Sequence, residues 1–299
     1  MSKLSTSFMS EESTTFIETG TLPDAPALTS ELTIEAGRAE RQYWRDLWRY
    51  RELFYFLAWR DILVRYKQTV IGISWAVIRP LLTMAVLTFV FSYIAKMDSG
   101  KYPYPILIFC AMLPWQFFAT AFSESGNSLV ANAGMISKVY FPRLVVPVSS
   151  VITSFVDFLI SAVLLAGMMV IYRYVPGPTI LFLPLFVLLA FATAFGAGLW
   201  ISALMVRYRD FKYIVPFVVQ FGLYLSPVGY LSSRVPSEWR LLYSLNPMVG
   251  VIDGFRWSIL GQSDIYWPGL YISIGTVALL IASGVWYFRK TERTFADVI

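Results

Sequence analysis

The stretch TILFLPLFVLLAFATAFGAGLWISALMV, residues 179–206, contains no charged side chain. A helix needs about 20 mostly apolar residues to cross the hydrocarbon core of a bilayer. Because this stretch exceeds that length, it predicts a membrane-spanning helix. Soluble domains carry about 25% charged residues, whereas only 14% of this 299-residue chain is charged and 57% is hydrophobic. The predicted fold class is therefore an all-α integral membrane protein.

Further apolar stretches flank this one on both sides, so six transmembrane helices are predicted. The other five run over about residues 75–95, 104–122, 144–172, 213–230 and 266–288. Between the last two lie the apolar pieces EWRLLYSLNP and GVIDGFRWSILG, each too short to span. We expect them to form re-entrant half-helices, since irregular backbone at membrane depth is tolerated only against protein or a water-filled cavity.

Lysine and arginine are distributed unevenly between the segments that join the predicted spans. From Arg38 onward, 17 fall on one side of the membrane and six on the other. Cytoplasmic segments carry the excess of positive charge. Both termini and the connector NAGMISKVYFPR, residues 132–143, are therefore predicted to be cytoplasmic. The net charge of +5 then reflects membrane topology, and nucleic acid is not an expected partner.

The composition also excludes several kinds of site. The chain has no histidine, so His-based catalysis and His metal sites are excluded, and its single cysteine, Cys110, permits no internal disulfide. A membrane-embedded transferase would need a cluster of acids or histidines at the surface to hold a metal, but the cytoplasmic acids between the spans are sparse, Glu124 and Asp210. Ion-coupled carriers usually show several intramembrane charges or broken helices in repeated halves. Here only Asp157 and Arg79 lie at depth, and no repeat is present.

The region before the first span has two parts. Residues 1–37 are polar and acidic and are predicted to form a disordered cytoplasmic tail. Residues 38–70 are predicted to form one interfacial amphipathic helix, and residues 71–299 the transmembrane domain. The aromatic face of this helix is formed by Trp44, Trp48, Tyr55, Trp59, Ile62 and Tyr66, beside a basic stripe of Arg38, Arg41, Arg45 and Arg49. Such a helix lies in the headgroup region, where it either anchors the chain or borders the access route of an anionic lipid.

Two ionisable residues are predicted to lie inside spans. Asp157 falls near the middle of the third span, where an acid costs at least about 2.5–3.5 kcal/mol, so it must face the bundle interior or be paired. It is either a pore residue or a structural, hydrogen-bonded acid between helices. The second interpretation is favoured, because a lone acid is a poor proton relay. Arg79, near the start of the first span, either snorkels to the interface or contacts a lipid phosphate.

Four segments, in this order, resemble the ABC-2 type permeases, specifically the membrane subunits of bacterial polysaccharide exporters. The segments are RDILVRYKQTVIGISWAVIRP (60–80), NAGMISKVYFPRLVVP (132–147), RYRDFKYIVPFVVQFGLYLSPVGY (207–230) and LNPMVGVIDGFRWSILG (245–261). The resemblance covers about residues 50–290 and omits the acidic extension. It implies a homodimer with twelve spans in the bacterial inner membrane, in which each copy docks a separate ATP-binding subunit on its cytoplasmic face.

The resemblance implies a transport subunit that is not itself an enzyme. The sequence contains no G-x-x-x-x-G-K-[ST] phosphate loop, so no cofactor is expected in this chain, and ATP and Mg²⁺ belong to the partner subunit. The expected substrate is a lipid-linked polysaccharide, with O-antigen preferred. Capsular polysaccharide, teichoic acid and a small drug or lipid remain as alternatives.

The resemblance also gives roles to particular residues. The connector 132–143 becomes a short amphipathic coupling helix, with a plain turn carrying topology charges as the alternative. The expected ATPase contacts are Asn132, Lys138, Tyr140, Phe141, Pro142 and Arg143, with Arg207, Arg209 and Asp210 as weaker candidates. The expected contacts with the lipid headgroup are Arg60, Arg65, Lys67 and Arg79, because guanidinium groups match phosphate oxygens.

Aromatic residues beside proline inside the spans suggest a pore for sugars. Sugar rings present C–H faces that pack on aromatic planes, and a sliding polymer needs broad contacts. The candidates for lining the pore are Trp75, Trp115, Phe118, Asp157, Phe221, Tyr224 and Tyr230. Ordinary helix–helix packing is the alternative for the aromatic members. No metal site is expected.

Overall fold

The computed structural model describes residues 39–67, 72–97, 102–261 and 265–295. Over these ranges the chain is helical and has no β-strand. The predicted acidic tail, residues 1–37, lies outside the described residues. Within the described residues, five helices are long and apolar enough to cross a membrane: Ser74–Ile94, Tyr104–Ala131, Val145–Ile171, Pro178–Arg207 and Trp267–Glu292. They correspond to the first four predicted spans and to the sixth.

The helices are numbered here in chain order. They are α1 (Ala39–Arg49), α2 (Arg51–Lys67), α3 (Gly72–Thr88), α4 (Tyr104–Ala131), α5 (Ala133–Ile136), α6 (Val145–Ile171), α7 (Leu183–Arg207), α8 (Phe211–Leu225), α9 (Ser237–Tyr243), α10 (Pro247–Leu260) and α11 (Trp267–Glu292). A π-helical segment, Phe89–Ile94, continues α3, and short 3₁₀ segments, Pro178–Phe182 and Ser232–Arg234, precede α7 and α9.

The fifth predicted span is shorter than expected. Its helix, α8, has 15 residues and is therefore about 22 Å long, against a hydrocarbon core of about 30 Å. The helix ends at Leu225 because Ser226 precedes Pro227, and a residue before proline avoids the α region. Ser226 accordingly has φ −102° and ψ 150°. The expectation of six full-length spans is thus not confirmed, and five helices have the required length.

The region expected to form one interfacial helix contains two. The first, α1, ends at Arg49 and α2 begins at Arg51, on either side of Tyr50. Apolar residues on both helices, including Leu47, Leu53 and Phe54, pack against the same core. The helix is thus interrupted at Tyr50, and both parts contact the same core.

The apolar segment before the last span forms the buried helix α10. The Asn246 side chain caps its first turn by accepting a hydrogen bond from the Met248 backbone N–H at 3.1 Å, and Pro247 occupies the first helical position. Gly261 ends the helix at φ 62°, a left-handed conformation that glycine adopts without strain. The helix packs against α4, α7 and α11. Its re-entry into a bilayer stays a prediction.

The long helices form a bundle with two ends. We call the end that carries residues 132–143 and 208–210 the connector end, and the end that carries residues 172–182 and 226–246 the loop end. The first core, formed by α4, α6, α7 and α10, fills the bundle towards the loop end. The second core, at the connector end, joins α2, α4 and α7 to the ends of α6 and α11.

Small residues allow the long helices to approach closely. A Cβ atom on Gly284 of α11 would lie 2.9 Å from the carbonyl oxygen of Gly196 on α7. Real side chains do not tolerate that distance, so position 284 needs glycine for this contact. A Cβ atom on Gly196 would lie 3.0 Å from the backbone nitrogen of Ile281 on α11, which is also a tight contact. Close packing at small residues is the usual way in which helices associate in a membrane, where apolar burial alone gives little driving force.

Candidate functional site

A polar cleft of about 520 Å³ lies at the connector end between α2, α4 and α6. Its position follows from the packing of α2 along α6, which leaves the end of α4 as the third wall. Nine of its eleven lining residues are polar or charged, in a chain that is 57% hydrophobic. The lining consists of Arg60, Asp61, Val64, Arg65, Glu124, Asn127, Ser128, Ala131, Asn132, Ser150 and Thr153. Such a cleft suits water or a polar ligand.

Arg65 joins the three helices around the cleft. Its guanidinium lies 2.5 Å from Asp157 Oδ2 on α6 and 2.8 Å from Glu124 Oε1 on α4. The Tyr66 hydroxyl donates to the other carboxylate oxygen of Asp157. Burial raises the pKa of the Tyr66 hydroxyl, and the hydrogen bond to Asp157 raises it further. The hydroxyl therefore stays protonated and can donate.

Asp157 has partners on a neighbouring helix. The sequence offered no partner for this acid, but the structure provides Arg65 and Tyr66 from α2. An acid that is paired and hydrogen-bonded costs far less in an apolar environment than an isolated one. The contacts are those of a structural acid between helices, and they place Asp157 against α2 beside the cleft.

Arg60 connects the cleft to the connector. Its guanidinium binds Asp61 at 2.8 Å on its own helix and donates to Asn132 Oδ1 at 2.9 Å. Asn132 is the residue that ends α4 and precedes the connector helix α5. Its side chain therefore faces the cleft, although the sequence suggested a contact with the ATPase. A displacement of the connector would therefore act directly on α2 through the hydrogen bond between Asn132 and Arg60.

The four predicted headgroup contacts separate into two pairs. Arg60 and Arg65 line the cleft. Lys67, at the end of α2, and Arg79, in the interior of α3, are exposed and lie outside its lining. The sequence spacing could not distinguish the two pairs, because the faces of α2 and α3 are set by their contacts with α4 and α6.

The connector has an exposed tip and a buried base. Only residues Ala133–Ile136 are helical, followed by Lys138 and Tyr140, which are exposed, with 70% of the tyrosine accessible. Phe141 is only 5% exposed and belongs to the second core. Pro142 is buried beside it, and Arg143 is half-buried and bonds to Glu292 at the end of α11. Lys138 and Tyr140 are accessible to a partner, whereas Phe141 and Pro142 support them from behind.

The second connector also lies on the surface. Arg207, Arg209 and Asp210 are all exposed, at the junction between α7 and α8. The Arg207 guanidinium lies 5.4 Å from the centre of the Tyr208 ring. The two connectors therefore present basic and aromatic side chains at the same end of the bundle.

Two of the aromatic pore candidates lie inside the bundle. Trp115 is 5% exposed and belongs to the first core. A Cβ atom on Gly222 of α8 would lie 2.5 Å from its indole ring, so the tryptophan fills the space between α4 and α8. Phe118 is half-buried, with its ring 5.6 Å from that of Trp115. In the single chain these two residues pack helices together.

The other aromatic candidates mark an exposed surface on α3 and α8. Trp75 of α3 and Phe221 and Tyr224 of α8 each have about half or more of their area exposed. Tyr230 is half-buried and bonds to the Tyr243 hydroxyl at 2.9 Å. The exposed rows, which we call the aromatic faces, are Trp75, Ile78, Leu82, Val86, Phe89 and Tyr93 on α3, and Tyr213, Phe217, Phe221 and Tyr224 on α8. Near the loop end, a small pocket of about 250 Å³ separates the two helices.

Arg256 on α10 is a buried charge that the sequence did not single out. Its side chain is 3% exposed and donates to the carbonyl oxygens of Val228 at 2.9 Å and Tyr230 at 2.7 Å. The arginine thus holds the turn after α8 against α10. In the sequence, Arg256 lies within an apolar piece, and there it counts only as one of the basic residues that predict the membrane topology. Among the residues that the structure describes, no three His, Cys, Asp or Glu side chains cluster as metal ligands.

The comparison with known families agrees with this arrangement of helices. The model of the family described as ABC-2 type transporter matches residues 52–260, well over half of the chain. This chain belongs to the ABC-2 type transporter family. The matched region begins in α2 and ends with α10. It therefore includes the cleft, both connectors and the aromatic faces of this ABC-2 type transporter.

Several curated proteins are similar to the chain over most of their length. The O-antigen export system permease protein RfbA of Klebsiella pneumoniae is 28% identical over 247 residues, which cover 80% of this chain and 92% of that protein. RfbA of Myxococcus xanthus is 27% identical over 260 residues, 85% and 98% of the two chains. The polysialic acid transport protein KpsM of Escherichia coli is 23% identical over 221 residues, 72% and 81% of the two chains.

Proposed function

We propose that this chain is the permease subunit of an ATP-driven exporter of lipid-linked polysaccharide, with O-antigen as the preferred substrate. The main support for the proposal is how much of each relative the alignment covers. The chain aligns with 92% of the length of one O-antigen export permease and with 98% of the length of another, from two organisms. The more distant relative is named for polysialic acid transport. A capsular polysaccharide is therefore the second candidate substrate.

The polar cleft is the proposed binding site of the lipid headgroup. Arg60 and Arg65 supply guanidinium groups, which match phosphate oxygens bidentately. Carboxylates hold both side chains: Asp61 contacts Arg60, and Glu124 and Asp157 contact Arg65. An arriving phosphate would compete with these acids for the same donors. Lys67 and Arg79, which are exposed nearby on the chain, would attract anionic lipid to the surface.

A second copy of the chain is the proposed neighbour of the aromatic faces of α3 and α8. These faces combine large exposed rings with the shortest of the predicted spans, α8. Lipid covers ordinary apolar faces in a membrane, but these faces also carry rows of aromatic rings, which can pack on the rings of a second copy. A homodimer that paired these faces would enclose a conduit lined by aromatic planes. Sugar rings could slide along such planes without fixed hydrogen bonds.

A separate ATPase subunit, which would hold ATP and Mg²⁺, is the proposed source of energy. Its proposed docking surface is the tip of the first connector, Lys138 and Tyr140, together with the exposed residues 207–210 of the second. In this proposal the connector end faces the cytoplasm of a bacterial inner membrane, as do both termini. The helices α9 and α10 enter the membrane from the outer side and return.

Reconstitution tests this function directly. The chain and its cognate ATPase are placed in proteoliposomes with a lipid-linked glycan, and transport is scored as protection of the glycan from added glycosidase. ATP-dependent protection supports the proposal. Protection without the ATPase, or a failure to bind it, would reject it. A free drug or lipid that is transported while the glycan is not would identify the alternative substrate class.

The docking surface has its own test. The double variant Lys138→Glu/Tyr140→Ala changes charge and bulk at exposed positions, so the free energy of unfolding should change by less than about 0.5 kcal/mol. Co-purification of the ATPase should fall by about ten-fold or more. Reversing the charge at position 138 and removing the ring at position 140 should weaken binding by about 1.4 kcal/mol, which corresponds to a ten-fold change in affinity. Undiminished co-purification would remove this surface from the proposal.

A further inference from the structure

The base of the connector is tied to the end of α11 by two hydrogen bonds, both donated by Arg143 and both accepted by Glu292. The backbone N–H of Arg143 donates to Glu292 Oε1 at 2.8 Å. The Arg143 guanidinium donates in turn to the backbone carbonyl of Glu292. Each bond joins one side chain to the other residue's backbone. The pair therefore fixes the main chain at both positions.

Apolar and aromatic contacts shield this tie. Phe141 lies in the second core with Phe288 and Phe295, whose rings meet at 5.4 Å. On the other side, the Arg289 guanidinium lies 4.8 Å from the ring centre of Tyr43 on α1. Burial raises the pKa of the Tyr43 hydroxyl, and the neighbouring carboxylate raises it further. The two hydrogen bonds of the tie are partly buried, and hydrogen bonds in such surroundings are stronger than at an open surface.

The connector cannot be rigid by itself. Its helix, α5, has four residues, and so short a helix is unstable in isolation because nucleation is costly. The residues that follow it, up to Leu144, form turns. The position of the exposed tip, Lys138 and Tyr140, therefore depends on how firmly the base is held. Arg143, at that base, is held by the tie.

We infer that Glu292 is a positioning residue for energy coupling, which holds the connector so that movement of a bound ATPase passes into the transmembrane bundle. This inference rests on the proposed function. A firm tie transmits a displacement of the tip into α11, which packs closely on α7 where Gly284 meets Gly196. A loose connector bends instead, and ATP is then hydrolysed without export.

The test measures polymer exported per ATP hydrolysed by the complete complex in proteoliposomes. Glu292→Ala removes the acceptor for the Arg143 backbone N–H and should lower this ratio about five-fold, the effect of losing one hydrogen bond. The rate of ATP hydrolysis and the amount of co-purified ATPase should stay at the wild-type level. Glu292→Gln keeps an amide oxygen as acceptor and should retain most of the ratio. Glu52→Ala, at an exposed position on α2, is the matched control and should keep the full ratio.

Several outcomes would overturn the inference. One is an unchanged ratio in Glu292→Ala. Another is a parallel loss of thermal stability, hydrolysis and export, which identifies a purely structural role. A third is a Glu292→Gln variant as poor as Glu292→Ala, because the acceptor oxygen would then be irrelevant. If Glu292→Ala does not fold, Arg143→Gln, which removes only the guanidinium bond, must lower the ratio in its place.

The proposed function fails at a different point of the same experiment. A wild-type chain that neither binds the ATPase nor exports polymer rejects the function before any variant is scored, and the inference falls with it. A wild-type complex that exports normally, beside a Glu292→Ala complex with an unchanged ratio, rejects only the positioning role.

Discussion

Two helices of nearly equal length have opposite surroundings in this transporter. The helix α8 has 15 residues and only Val215 is buried along it, whereas α10 has 14 residues and eleven of them are buried. Both are apolar, and both are too short to cross a bilayer in a straight line. The difference lies in their neighbours, because α10 is enclosed by α4, α7 and α11, and α8 touches mainly α4 and α7 on one side.

The comparison assigns different roles to the two helices. The helix α10 supports the loop end. Its Arg256 holds the turn after α8. Its Gly250 and Gly254 leave room for the side chains of Ser273 and Phe186. α8 presents Phe217 and Phe221, with rings 4.1 Å apart, on its exposed side. Changes in α10 should therefore affect folding, and changes on the exposed face of α8 should affect association or transport.

The largest effect is expected at Gly254 of α10. A Cβ atom there would lie 2.0 Å from the ring of Phe186, which is itself 3% exposed and cannot move aside. Gly254→Ala should lower the free energy of unfolding by about 3 kcal/mol, at the upper end of overpacking effects. The loss of stability is measured by thermal unfolding in detergent, with tryptophan fluorescence as the signal. Gly167→Ala, in α6 with nothing within 4 Å, is the control and should not destabilise. Equal stability of the two variants would contradict the tight packing of α10.

A slightly smaller effect is expected at Arg256. Arg256→Met fills a similar volume but leaves the carbonyl oxygens of Val228 and Tyr230 without these donors, at a cost of about 2 kcal/mol. The thermal midpoint should fall, and protease cleavage in the turn after α8 should become faster. Arg234→Met, at an exposed position near the same end, serves as the control. If both variants were equally stable, Arg256 would not be holding that turn.

The smallest effect on folding is expected on the exposed face of α8. Phe217→Ala/Phe221→Ala should change the free energy of unfolding by less than about 0.5 kcal/mol, while self-association in detergent and polymer export both decrease. The control pair is Leu159→Ala/Val163→Ala, exposed apolar positions on α6. An equal loss of export in the control pair would show that α8 has no special role.

The sequence predicted the long helices well, because their signal is local. An uncharged run such as 179–206 must be a membrane helix wherever its neighbours lie, and the structure places a helix at Pro178–Arg207. The prediction was less accurate where a boundary depended on backbone chemistry or packing. The end of α8 is set by Ser226 before Pro227, and the region 38–70 contains two helices that share one core where one continuous helix was expected.

The candidate site was predicted only in part. The sequence identified Arg60, Arg65 and Asp157 as unusual, but for separate reasons and in two different groups. Their meeting at or beside one cleft depends on how α2 packs against α6, because Arg65 and Asp157 are 92 positions apart in the sequence. Glu124 had been noted only as one of few cytoplasmic acids, and it proved to be the second acid that holds Arg65.

The sequence by itself determined the all-helical fold class, the five long apolar helices and the family resemblance, because hydrophobic length and local motifs do not depend on distant contacts. The tertiary structure alone decided which side chains face each other: Phe141 turns into the second core, Trp115 fills the gap at Gly222, and Arg143 meets Glu292 across 149 residues of chain. A helix can rotate about its axis without changing its sequence pattern. Only the packing of its neighbours fixes which face becomes a binding surface and which becomes core.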